Sequence, residues 1–213
     1  AIHSSFRHLG GKYRPDSRVE NIRHDGSVFI AETKNGSFAA PKIVLACGHG
    51  ITKLAPMVGL NTPIVPQRGQ VLVTERAEPT LGMALGNIRQ TDEGTVQIGN
   101  TEEEVKFDDG TTLSASQAMA RRAVQIFPQL AGLQLIRTWG CIRVLTPDKC
   151  AIYDESDEYP GAYVATSHSG VTLAAVNARH TAKWIATGET PPGFEEFSAK
   201  RFNAEGGYVS THH

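Results

Sequence analysis

The sequence predicts an α+β fold: a mixed or antiparallel sheet with helices, joined to an α/β portion that is incomplete. Three observations predict it. Two hairpin dipeptides, Asp25-Gly26 and Asn35-Gly36, separate short strand-like stretches near the start; both accept positive φ and close tight antiparallel turns. A continuous apolar run, Lys42-Ile43-Val44-Leu45-Ala46, leads into Cys47-Gly48-His49-Gly50, as expected of a strand buried on both faces in a parallel sheet. Further on, Ala115, Met119, Ala123, Ile126 and Phe127 recur at helical spacing before Pro128 stops the pattern, which marks a helix packing one face on a core.

The elements follow in order. Ile2 to Leu9 reads as a helix closed by Gly10-Gly11, since glycine tolerates the left-handed conformation that ends helices. Arg18 to Arg23, Ser27 to Thr33 and a third strand ending near Ala39 form a meander across the two hairpin turns. After the apolar run, Ile51 to Met57 is a short helical turn. Gln67 to Glu75 and Thr95 to Gly99 read as strands, with Arg89 at the end of another. Ser114 with Gln117 resembles a capping box for the amphipathic helix. Trp139 to Thr146 and Ala162 to Thr166 are strands, the second followed by the polar loop Ser167-His168-Ser169-Gly170. Leu173, Val176, His180, Thr181 and Trp184 then recur at helical spacing up to Gly188, and the segment from Pro191 is a polar, loosely held tail.

Composition excludes several classes. The 213 residues are 40% hydrophobic and 20% charged, with a formal net charge of -1, so neither nucleic acid nor anionic lipid is a bulk partner. No window approaches the roughly 18 apolar residues that span a bilayer. Cys47, Cys141 and Cys150 are odd in number and sparse, which speaks against a disulfide framework and for a reducing, cytoplasmic setting. No metal is expected, because the cysteines and histidines match no ligand template. No G-x-S-x-G suggests a hydrolase. The chain opens Ala1-Ile2-His3 without a methionine, as though its start had been cut away. A dinucleotide-binding βαβ unit needs G-x-G-x-x-G between strand and helix. None occurs: Gly48-His49-Gly50 is followed by Ile51, Thr52 and Lys53.

Several segments, in order, resemble the D-amino-acid oxidase superfamily of FAD-dependent enzymes, which includes glycine oxidase and sarcosine oxidase. They are His8 to Tyr13, Ala40 to Gly48, Pro63 to Arg76 (PIVPQRGQVLVTER), Arg89-Gln90-Thr91 with Gly94 to Gly99, Trp139 to Asp148 (WGCIRVLTPD) and Tyr163 to Thr172 (YVATSHSGVT). The family's N-terminal part with its glycine-rich turn has no counterpart here. The resemblance implies a division into a partial FAD-binding portion (1–61), a substrate-binding domain (62–137), a C-terminal FAD-binding portion (138–190) and a tail (191–213).

It also implies roles. Oxidising an amine with a flavin passes a hydride to flavin N5, and negative charge gathers near N1 and C2=O. Free backbone N–H groups at a helix start stabilise such charge. Ser169, Gly170, Val171 and Thr172, opening the Leu173 helix, match the family loop at that end of the flavin. Ala46 and Gly48 match a turn passing close to the cofactor, and Trp139 and Gly140 belong to the same cofactor-binding set. Arg143 stands mid-strand among Ile142, Val144 and Leu145; an arginine there needs an anionic partner. By resemblance that partner is the substrate carboxylate. A structural ion pair, with Asp148 as its candidate, is the alternative. Cys141-Ile142-Arg143-Val144-Leu145-Thr146-Pro147-Asp148 is similar to the stretch through which sarcosine-oxidase-like members attach FAD covalently, whereas the arginine two places on follows the non-covalent branches.

The resulting expectation is an oxidoreductase acting on an amino acid or amine. Beyond that small-molecule substrate, the candidate partners are a partner subunit or electron acceptor, or further copies of the chain in a homo-oligomer. A second reading, a non-catalytic fragment or subunit that self-associates without FAD, stands beside it.

Overall fold

The computed structural model describes residues 1–202. Helix α1 (Ile2–His8) precedes strands β1 (Val19–His24), β2 (Phe29–Thr33) and β3 (Gly36–Ala40), which pair antiparallel in that order. The first turn is built by Asp25, whose Oδ1 accepts hydrogen bonds from the amides of Ser27 and Val28 at 3.0 and 2.9 Å. Those donors hold its carboxyl down to about 2. Strand β4 (Ile43–Leu45) leads into helix α2 (Ile51–Leu54). Then come β5 (Val65–Arg76), β6 (Ile88–Gln90), β7 (Thr95–Gly99), α3 (Leu113–Ile126) and β8 (Leu135–Leu145). Strands β9 (Ile152–Glu155) and β10 (Ala162–Thr166) precede α4 (Ala174–Val176), a π-helical turn (Asn177–Thr181) and α5 (Ala182–Thr187).

The described residues divide into two compact units, one made of 1–63 with 150–202 and the other of Ile64–Lys149. The expected boundary after residue 137 falls inside β8, which belongs wholly to the second unit. In the first unit β4 pairs parallel with β10, which pairs antiparallel with β9. Its cores gather Ile22, Phe29, Leu45, Ile51 and Val164 on one side and Tyr153, Tyr163, Trp184 and Phe194 on another. In the second unit the strand order is β6-β7-β5-β8. One face of that sheet carries Leu72, Ile88, Val96 and Ile98 against Met119 and Ala123 of α3.

Several expectations are corrected. Strand β4 is parallel as expected but not buried on both faces: it ends the sheet and Val44 is 41% exposed. The cap of α3 is Thr112, whose hydroxyl accepts from the Ala115 amide, and not Ser114. Arg89 lies in the middle of β6, not at its end. Strand β9 was not expected, because Asp154 interrupts its apolar pattern. Asp154 is nevertheless buried, with Oδ2 accepting from Ser198 Oγ at 2.8 Å and from the Ala199 amide at 2.9 Å. The segment after Pro191 is not loose as far as Phe202: Phe194 and Ala199 are buried, and two short 3-10 turns follow one another. The rest of that expected tail lies outside the described residues.

Candidate functional site

The residues expected to meet a flavin or a substrate fall into two sets, one in each unit. The first set stands at one end of the β4–β10 pair. Register pairs Ala162 with Ile43 and Val164 with Leu45, so both strands run out at the same edge of the sheet. Ligands of open α/β sheets sit beyond the carboxyl ends of parallel strands. Ala46 follows β4, and Gly48 has φ 56, a left-handed conformation that suits glycine. Ser169 to Thr172 follow β10. The expected helix opening is displaced: residues 168–173 form consecutive turns and helix begins only at Ala174. In those turns Leu173 N–H donates to Ser169 O at 2.9 Å and Ala174 N–H to Val171 O at 3.2 Å. Among the described residues, no acceptor meets the amides of Ser169, Gly170, Val171 or Thr172.

The segment is open, with Val171 94% exposed. A Cβ added at Gly170 would meet nothing nearer than Ser167 Oγ at 4.0 Å. Unpaired amides in open space suit an anion. A flavin's N1–C2=O edge is such a group, so the residues fit the ring end of FAD. Which residues hold its phosphates is not given by this set.

The second set stands on the β5–β8 pair. Cross-strand register places Val71 opposite Trp139, Gly69 opposite Cys141 and Gln67 opposite Arg143. Residues directly opposite share a face, so these six lie together, on the face away from α3. Arg143 is half-buried. Its Nη1 donates to Gln67 Oε1 at 3.1 Å and to Arg68 O at 3.2 Å. Among the described residues no carboxylate forms an ion pair with it. The Asp148 alternative is not realised: Asp148 Oδ1 accepts from Thr146 Oγ1 at 2.9 Å.

Trp139 is half-buried and carries the Arg137 guanidinium 5.1 Å from its ring centroid, a cation–π arrangement. Cys141 is exposed. Gly140 points to the other face, where a Cβ would fall 2.5 Å from Asp109 O and 2.6 Å from Gly110 O. A crossing loop therefore accounts for this glycine. On the open face, Val71, Asn87, Arg89, Gln97 and Gly99 line a shallow cavity of about 170 Å³. Arg89 Nε donates to Gln97 Oε1 at 2.8 Å.

Sequence reasoning passed over Gln67 and Gly69, which contact Arg143. The signal was present in Pro66-Gln67-Arg68-Gly69-Gln70, since a glycine inside a strand marks a close approach.

The protein family described as FAD dependent oxidoreductase matches residues 1–184. The chain belongs to this family. Among its relatives, one of the subunits of opine oxidase from Agrobacterium tumefaciens (strain Ach5) is 40% identical over 205 residues, covering 96% of this chain and 55% of that protein. "Hydrogen cyanide synthase subunit HcnC" of Pseudomonas protegens is 29% identical, covering 88% of this chain and 47% of that protein. The crystal structure of glycine oxidase from Geobacillus kaustophilus superposes with a TM-score of 0.81 at 26% identity, covering 89% of this chain and 53% of that one. The chain spans about half the length of the curated relatives it matches. As a family member it has the expected α+β architecture of mixed and antiparallel sheets with helices. Among the described residues no helix is long and apolar enough to cross a membrane, and no cluster of side chains forms a metal site.

Proposed function

We propose that the protein to which this chain belongs oxidises the C–N bond of a carboxylate-bearing amine, an amino acid or secondary amine, in the cytoplasm. One observation carries the reading: Arg143 lies on an open sheet face with neutral hydrogen-bond partners and, among the described residues, no ion-paired carboxylate. A half-buried guanidinium without an internal anion is suited to an external one. The likeness to the opine oxidase polypeptide supports an amine substrate of the opine class. That two of the relatives are named as subunits supports a partner subunit.

When bound, FAD supplies the acceptor for the hydride leaving the carbon beside nitrogen. This chain's residues do the rest of the work assigned to them. Arg143 holds the substrate carboxylate and so fixes which C–H is presented. The amides of Ser169, Gly170, Val171 and Thr172 offer donors to the anionic edge of the ring. Ala46 and Gly48, small residues just after the end of β4, are assigned to the turn next to the cofactor.

Arg143→Met tests the reading in the holoenzyme. The expected result is a large rise in KM for carboxylate substrates, since truncating one side of a charge pair costs about 2–5 kcal/mol. An unchanged KM removes Arg143 from the site.

A further inference from the structure

Glycine inside a strand weakens it unless something requires the space. Gly69 lies inside β5, and its backbone is not among the left-handed conformations that favour glycine. What requires it is Arg143. A Cβ at position 69 would fall 2.2 Å from Arg143 Nη2, 2.5 Å from Cζ and 2.8 Å from Nη1. The guanidinium therefore lies directly against the bare Cα of Gly69. Its Nη1 is fully used, donating to Gln67 Oε1 at 3.1 Å and to Arg68 O at 3.2 Å. Its Nε and Nη2 have no acceptor among the described residues.

We propose that Gly69 and Gln67 form a seat that pins the Arg143 guanidinium to the sheet and leaves its Nε–Nη2 edge free for a side-on, two-point grip on the substrate carboxylate. The inference rests on the reading of Arg143 given under Proposed function. Gly69 and Gln67 are positioning residues in it, acting through Arg143. An arginine side chain has several rotatable bonds, and fixing them in advance lowers the cost of gripping a ligand. Two neutral acceptors do this without cancelling the charge that the carboxylate needs. The seat also selects the edge, because Nη1 is the nitrogen it consumes.

The test uses the holoenzyme with Gly69→Ala. The extended backbone accepts alanine, so the conflict falls on the guanidinium, which must move about 1 Å to restore ordinary contact at 3.4 Å. The probes are iminodiacetate as substrate and diglycolate, its ether analogue, as a ligand that has no amine to oxidise. Calorimetric titration gives the dissociation constant of diglycolate, and steady-state rates give KM and kcat for iminodiacetate. A misplacement of this size costs up to about 100-fold. The expected result is a 10- to 100-fold rise in both constants, a smaller change in kcat, and a thermal midpoint equal to the parent's or higher. Gln67→Leu gives a smaller rise in the same direction.

The same alanine is then placed in an Arg143→Met background. There the seat holds nothing, and Gly69→Ala is expected to have no further effect. An equal Gly69→Ala penalty in both backgrounds overturns the seat, as does a diglycolate constant within twofold of the parent. Failure of the underlying reading looks different: Arg143→Met alone leaves the diglycolate constant and KM unchanged, before Gly69 is altered.

Discussion

Arg68 and Arg143 stand on neighbouring strands of one sheet, on opposite faces, and have opposite fates. Arg68 is almost wholly buried, with Nη2 on Glu103 Oε2 at 2.8 Å and Nη1 on Asp108 Oδ2 at 2.7 Å. Among the described residues, Arg143 has only neutral acceptors. An arginine whose anions come from its own chain is spent on structure; one without them is available to a ligand. The sequence led to the expectation of an anionic partner for Arg143; in the structure its described acceptors are neutral. Sequence reasoning had no way to find the two carboxylates beside Arg68, because they come from a loop more than 30 residues away. The Arg68 guanidinium, with hydrogen bonds from Thr101 and Gln70, holds the Glu103 carboxyl down from 4.5 to about 2. A carboxyl depressed on folding contributes stability that is present above its unfolded value and is lost as pH falls through the folded one. That window runs from 4.5 down to about 2. Glu103→Gln is therefore expected to be less stable than the parent at neutral pH and to lose less of its remaining stability across this window. Urea midpoints at several acid pH values check this. Parallel acid limbs for parent and variant count against the assignment.

Hairpins and the parallel strand were legible because their signals are local. Asp25-Gly26 and Asn35-Gly36 close the turns where expected, and the strands lie within a residue or two of their predicted bounds. Helix starts were less legible, because a cap is chosen by tertiary contacts as well as by residue type. Thr112 receives a hydrogen bond from Gln70 Nε2 at 3.3 Å, and its amide donates to Gln70 Oε1 at 2.9 Å. Those bonds across the buried sheet face fix residue 112 as the last extended residue, so Ser114 falls inside the helix. Thr112→Ala is accordingly expected to cost about 1 kcal/mol, and Ser114→Ala to stay within about 0.5 kcal/mol of zero, both read from denaturant midpoints. The reverse order of these two costs restores Ser114 as the cap. The last helix teaches the same lesson. Its π-helical turn at Asn177–Thr181 widens one turn, and His180 lies exposed while Thr181 and Trp184 are buried. A stripe read at strict helical spacing misplaces a residue after such a turn.

At the scale of the whole chain, the two sets of site residues belong to different compact units, and strict sequence order hides this. Among the described residues, 1–63 and 150–202 belong to one compact unit although 64–149 separate them in sequence. The first unit offers the amides of Ser169 to Thr172 and the turn at Gly48; the second offers Arg143 in its seat. Neither set contains a grip for phosphates. In a dinucleotide site much of the hold on the cofactor comes from a glycine-rich turn and the helix N-terminus behind it, both aimed at the pyrophosphate. The 213 residues contain no G-x-G-x-x-G, so the amides proposed for the ring end would act alone against the full cost of ordering a free cofactor. The expected outcome is that these 213 residues, purified alone, fold but show no flavin absorbance. A protein that joins them to a segment bearing that motif is expected to bind FAD. In that protein, replacing Gly170 by proline, which fixes φ and removes one donor, weakens retention of the flavin on dialysis. A yellow preparation from the 213 residues alone, with flavin near one per chain, means the ring end suffices and reverses this division of labour.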